Sequence, residues 1–187
     1  MTWGEEIRTS VHGAVRLAHF DAASMNDFNL TIDGFWRSFG AALLLAPISA
    51  IMLALSSHSP DGGIAQTVIL HVVEYALNWI AFPILMIPVS RFLGLGDGYL
   101  SFIIAYNWSS VVQVALFFVV TVFGAVGVLP AGLLLIANYA AFLFILAYLT
   151  FVARTALGAP LVTAISIVML DMVVGVLIFL GMGSLAA

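Results

Sequence analysis

The stretch IAQTVILHVVEYALNWIAFPILMIPV, residues 64–89, holds one carboxylate, Glu74, and no lysine or arginine. A helix that crosses a hydrocarbon core of about 30 Å needs about 20 mostly apolar residues, and this stretch exceeds that length. Residues 35–55, 99–123, 129–153 and 161–180 meet the same requirement. The whole composition agrees: 64% of the 187 residues are hydrophobic and only 7% are charged. Lipid offers backbone groups no water to bond, so each span must be helical. The sequence therefore predicts an all-α membrane protein. It comprises a cytoplasmic amphipathic segment and loop over residues 1–33 and a five-helix transmembrane bundle over residues 34–187.

Orientation follows from the arginines, which short loops retain on the cytoplasmic side. Arg8, Arg16 and Arg37 precede the first span, Arg91 follows the second and Arg154 follows the fourth, while the loops 56–63 and 124–128 carry none. The N-terminus is expected inside and the C-terminus outside. Cysteine and lysine are absent, which excludes disulfides and a polybasic lipid-docking cluster.

Residues 1–33 do not read as a signal peptide, because Glu5, Glu6, Asp21, Asp27 and Asp33 interrupt them. Thr2 and Glu5 have the spacing of a capping box. Ile7, Val11, Val15 and Ala18 form an apolar stripe, and Arg8, His12, Arg16 and His19 form the adjacent basic one. This predicts an interfacial helix packed as a collar under the bundle, with residues 21–31 as a loop. In the first span Ser38, Ala42, Ala46, Ala50 and Ala54 recur every fourth residue, a small-residue seam suited to close helix packing within the bundle. Pro83 and Pro88 are expected to kink or break the second span. There is no internal repeat.

Chemistry in such a chain must come from polar groups at membrane depth. A charge there costs about 2.5–3.5 kcal/mol on insertion scales and normally faces the bundle interior. Glu74 and Asp171 each lie about ten residues into a span, near the midplane at about 1.5 Å per residue, where they are expected to meet. His71, Glu74 and Asn78 share one helix face, Asn107, Ser110 and Gln113 make a polar face on the third span, and Asn138 marks the fourth. Two readings follow: a hydrogen-bonded network that holds the helices in register, or a proton- or cation-binding site. His71 with Glu74 is half of a metal site with nothing to complete it, so neither metal nor cofactor is expected. Phosphate loops, nucleophile elbows and basic nucleic-acid faces are absent. The glycines of loop 93–98 make a tight cytoplasmic turn. Arg37, Arg91 and Arg154 are candidate contacts for lipid headgroups, with Asp97 as an alternative partner for the last two.

Asp33, Gly34, Phe35 and Trp36 before the first span, the glycine-bearing turn after the second, and Tyr106 to Ser110 in the third resemble the Yip family of five-span membrane proteins, in its small bacterial branch. The resemblance implies a multi-pass protein of the bacterial plasma membrane. It would be non-enzymatic, organising membrane or supporting a partner complex, with the bilayer, a second copy or a larger membrane assembly as partner and no nucleic acid. The long cytoplasmic N-terminus of the eukaryotic members, which are implicated in vesicle traffic, does not precede the first span, so that activity is not carried over. The alternative is a small proton- or cation-coupled transporter or channel that uses the midplane carboxylates.

Overall fold

A computed structural model describes residues 2–56 and 63–186; the expected outer loop 56–63 falls almost wholly outside them. The described chain is all-helical and contains five helical segments long and apolar enough to cross a membrane. Three short elements come first: α1 (Trp3–Ala18), a 3-10 turn (Ala22–Asp27) and α2 (Ile32–Ser38). Then come α3 (Gly40–Ser56), α4 (Ile64–Phe92), α5 (Tyr99–Ala125), α6 (Ala131–Leu157) and α7 (Leu161–Ala186). The first span is α2 and α3 in series, stepping at Phe39. α4 runs unbroken through Pro83 and Pro88, so the expected break is not there. Arg91 and Arg154 lie inside the last turns of α4 and α6 rather than beyond them, where a cation complements the helix dipole.

The N-terminal collar is the most heavily bonded part of the described chain. Both halves of the capping box form: the Thr2 amide donates to Glu5 Oε2 at 2.8 Å and the Glu5 amide to Thr2 Oγ1 at 3.3 Å. The expected loop 21–31 is instead ordered by two side-chain caps, Asp21 on the 3-10 turn and Thr31 on α2. Arg16 pairs with both Asp21 and Asp27. Its guanidinium is the main cause that holds the Asp21 carboxyl below its ordinary value. Glu6 is buried and accepts from Arg37 at 2.9 Å and from Asn29 at 3.3 Å. Gly34 sits so close to the Asn29 carbonyl that a Cβ there would overlap it.

The face α1 turns to the bundle is Glu6, Ser10, Gly13, Ala14 and Leu17. Glu6, Ser10, Ala14 and Leu17 each precede a residue of the expected stripe by one, and Ile7, Val11 and Ala18 of that stripe, half-buried, pack against the same core. Val15, with Trp3 and Phe20, is exposed. Tyr148 Oη donates to the Ala14 carbonyl at 2.8 Å and lies 2.9 Å from Ser109 Oγ. One hydroxyl carries one proton, so Ser109 is the donor to Tyr148. On α5, Asn107 Nδ2 donates to Ser38 Oγ at 2.9 Å. The collar therefore crosses the bundle at the level of Ser38, Asn107, Ser109 and Tyr148.

α5 is the hub, packed against α1, α2, α3 and α6, with Phe102 to Ala105 and Trp108 buried at its centre. Fewer apolar side chains are buried outward of the collar; among the described residues they include Ala41, Leu45, Val120, Ala141, Ile145 and Met182. The small-residue seam follows the same trend: Ser38 is buried, Ala42 and Ala46 are half-buried, and Ala50 and Ala54 are exposed. A strict four-residue spacing drifts by about 40° per step around a helix of 3.6 residues per turn, so it leaves the contact. The buried positions are Ser38, Ala41 and Leu45. Accordingly Ala41→Leu should overpack the α3–α5 contact and cost about 1–3 kcal/mol, whereas Ala50→Leu should be neutral; thermal unfolding in detergent compares the two.

Candidate functional site

Of the two carboxyl groups at membrane depth, Asp171 is the one with a side-chain partner. Its Oδ1 accepts from Tyr106 Oη at 2.8 Å. The Tyr106 ring is fixed by Phe82 and Phe102, with centroids at 5.0 Å and 5.8 Å. Beside this pair α4, α5 and α7 leave a cleft of about 330 Å³, lined among others by Asn78, Ser110, Gln113 and Asp171. Four of the polar residues expected at membrane depth thus gather in one place. Asn78 and Ser110 spend their donors on their own helices, on the carbonyls of Glu74 and Tyr106. Chemically the cleft offers one carboxyl group held by a phenol, with amide and hydroxyl groups near it. That set can bind a proton or a small hydrogen-bonding ligand.

The other expected members go elsewhere. Asn107 belongs to the collar contact with Ser38. Asn138 is exposed on α6 and donates to the Leu134 carbonyl. Glu74 and Asp171 do not meet. Asn78 Oδ1 lies about 4.0 Å from where a Cβ on Gly175 would be, so these two positions are level. Glu74 is one turn outward of Asn78, and Asp171 one turn inward of Gly175. The carboxylates are therefore about two turns, or about 12 Å, apart along the bundle. Tyr106, the partner of Asp171, adjoins Asn107, which donates to Ser38 of the first span. His71 and Glu74 are half-exposed, and no side-chain hydrogen bond to either occurs among the described residues.

Arg37 is engaged twice, by Glu6 and Asp33 at 2.9 Å each, and so is not a free headgroup contact. Arg91, Arg154 and Asp97 are exposed, and no ion pair joins them among the described residues. No group of three or more acidic or histidine side chains able to hold a metal occurs among the described residues. Sequence reading took Tyr106 and Ser109 only as part of a motif and passed over Tyr148, although the hydroxyls of all three join helices. Their signal was available: each tyrosine sits well inside a span, away from the interfacial belts where tyrosine gathers.

No family model matches the chain, and neither a curated protein nor a solved structure matches it.

If Tyr106 and Asp171 form one unit, a double-mutant cycle of Tyr106→Phe and Asp171→Asn should give a coupling of about 0.6–1.7 kcal/mol, the range for hydrogen bonds between membrane helices. Glu74→Ala, which removes no such bond, should change stability by less than about 0.5 kcal/mol. Unfolding midpoints of the five proteins in one detergent read both outcomes.

Proposed function

We propose that this chain is a non-enzymatic, multi-pass membrane protein that organises membrane or holds a partner complex, as its resemblance to the Yip family implies. The observation that carries this reading is the uneven packing. The polar side chains of the cytoplasmic half tie the collar to α5 and α6, while the outer halves of α4, α6 and α7 present exposed apolar side chains such as Val72, Leu135, Ile136, Val176 and Leu177. A bonded collar joined to spans that expose apolar side chains suits a protein whose remaining contacts are made with lipid, a second copy or another membrane subunit. The proposed site is the bacterial inner membrane, with the N-terminus and the collar cytoplasmic.

One observation favours a second reading, a proton- or cation-coupled carrier: the cleft at Asp171 and Tyr106 places an acid beside polar groups. The experiment that separates the two extracts the chain from native membrane with its lipid and weighs the particle, then reconstitutes it in vesicles under a pH gradient. The scaffold reading expects a particle well above the 19.9 kDa of one chain, containing a second copy or a membrane partner, and no proton flux. A lone chain whose flux disappears in Asp171→Asn would overturn it in favour of the carrier.

A further inference from the structure

A groove of about 470 Å³ runs between α6 and α7, with Arg154 and Leu161 at its cytoplasmic rim and Leu146 and Met169 at its floor. Three features of the rim point to an anion. Arg154 is exposed, and no hydrogen bond or ion pair involves it among the described residues. α7 begins beside it at Leu161, and its first backbone bond runs from Ala164 to the Pro160 carbonyl. The amides of Leu161, Val162 and Thr163 therefore have no partner within the helix and point their positive dipole end out of it. No acidic residue occupies that first turn. Below the rim the chemistry changes: Leu146, Thr150, Phe151, Ile165 and Met169 make a wall that suits hydrocarbon, with the Thr150 hydroxyl already spent on the Leu146 carbonyl.

The depth of the groove suits a lipid. The collar crosses α6 at Tyr148, and an interfacial helix lies about 5–10 Å into the boundary between headgroups and acyl chains. Arg154 is six residues nearer the cytoplasm, about 9 Å at 1.5 Å per residue, which is phosphate level. Leu146 is about 12 Å below Arg154, most of one leaflet's share of a core of about 30 Å. Phe20 closes one side. It has a φ of 60°, the one positive φ outside glycine among the described residues, a conformation in which Cβ crowds the following carbonyl. Edge-on contacts with Phe144 and Phe151, at 6.4 Å and 5.4 Å between centroids, hold it there. We propose that this groove binds one anionic phospholipid of the cytoplasmic leaflet. Its phosphate sits on Arg154 and the α7 amides, and one acyl chain lies between α6 and α7 beside Phe20.

The site is independent of whether the protein acts as scaffold or carrier. It is tested by reconstituting the protein with equal parts phosphatidylglycerol and phosphatidylcholine, extracting it gently and counting retained lipids by native mass spectrometry. The wild type should retain phosphatidylglycerol about fivefold over phosphatidylcholine, the preference one arginine confers at an anionic surface. Arg154→Gln should abolish the preference, Thr150→Trp should fill the groove and release both lipids, and Arg91→Gln, which changes an exposed arginine that does not line this groove, should leave the preference intact. An even mixture on the wild type, or a preference unchanged in Arg154→Gln, overturns the proposal. So does a thermal stabilisation by inorganic phosphate equal to that by phosphatidylglycerol, because the site would then take a small anion and not a lipid. Should Arg154→Gln fail to fold, the wild-type ratio and Thr150→Trp decide the matter.

Discussion

The Tyr148 hydroxyl joins three helices: it donates to the Ala14 carbonyl of α1 and accepts from Ser109 of α5, while its own backbone belongs to α6. All three groups are buried. Any of them left alone would carry the full desolvation cost of an unpaired polar group, about 1–3 kcal/mol. Apolar contact alone does not hold helices together in lipid, whose tails are as apolar as leucine, so bonds of this kind and close packing must do it. The neighbouring contacts repeat the logic. Asn107 reaches Ser38, Glu6 takes Arg37 and Asn29, and Tyr106 holds Asp171. Together they lock one end of the bundle, collar included, into a bonded unit.

The collar also sets depth. α5 and α6 have 27 residues each, about 40 Å at 1.5 Å per residue, against a core of about 30 Å. An amphipathic helix bearing Arg8, Arg16 and His12 belongs at the interface, so the excess of α5 and α6 projects beyond it, out of the hydrocarbon core. Asp171, through Tyr106, lies beside the contact of Asn107 with Ser38, and Glu74 lies about two turns away along the bundle. The contrast between the bonded end at the collar and the exposed apolar faces of the spans is the feature any function of this protein has to use.

Much of this was legible in the residues. Span number, the capping box at Thr2 and Glu5, and the collar all followed from hydrophobicity and spacing, because lipid imposes length and helicity directly. Phase was harder. The α1 residues Ile7, Val11 and Ala18 do pack against the core, but the fully buried face beside them includes Glu6 and Ser10, which count as polar in sequence, and the partner of Glu6, Arg37, is thirty-one residues away. The seam of Ser38 to Ala54 looked continuous in sequence and rotates out of contact in space. The cleft was only half legible. Asn78, Ser110, Gln113 and Asp171 stand out as polar residues in apolar runs, but their gathering, and the separation of Glu74 from Asp171, depend on how α4 and α7 align. No local pattern encodes that alignment.

The central claim is that the Tyr148 hydroxyl, bridging Ala14 and Ser109, fastens the collar to the bundle. Amide hydrogen exchange on Tyr148→Phe in lipid nanodiscs tests it most directly. The account predicts faster exchange across α1, with the spans α3, α4 and α7 protected as in the wild type. Exchange in α1 that is unchanged by loss of the hydroxyl would contradict it.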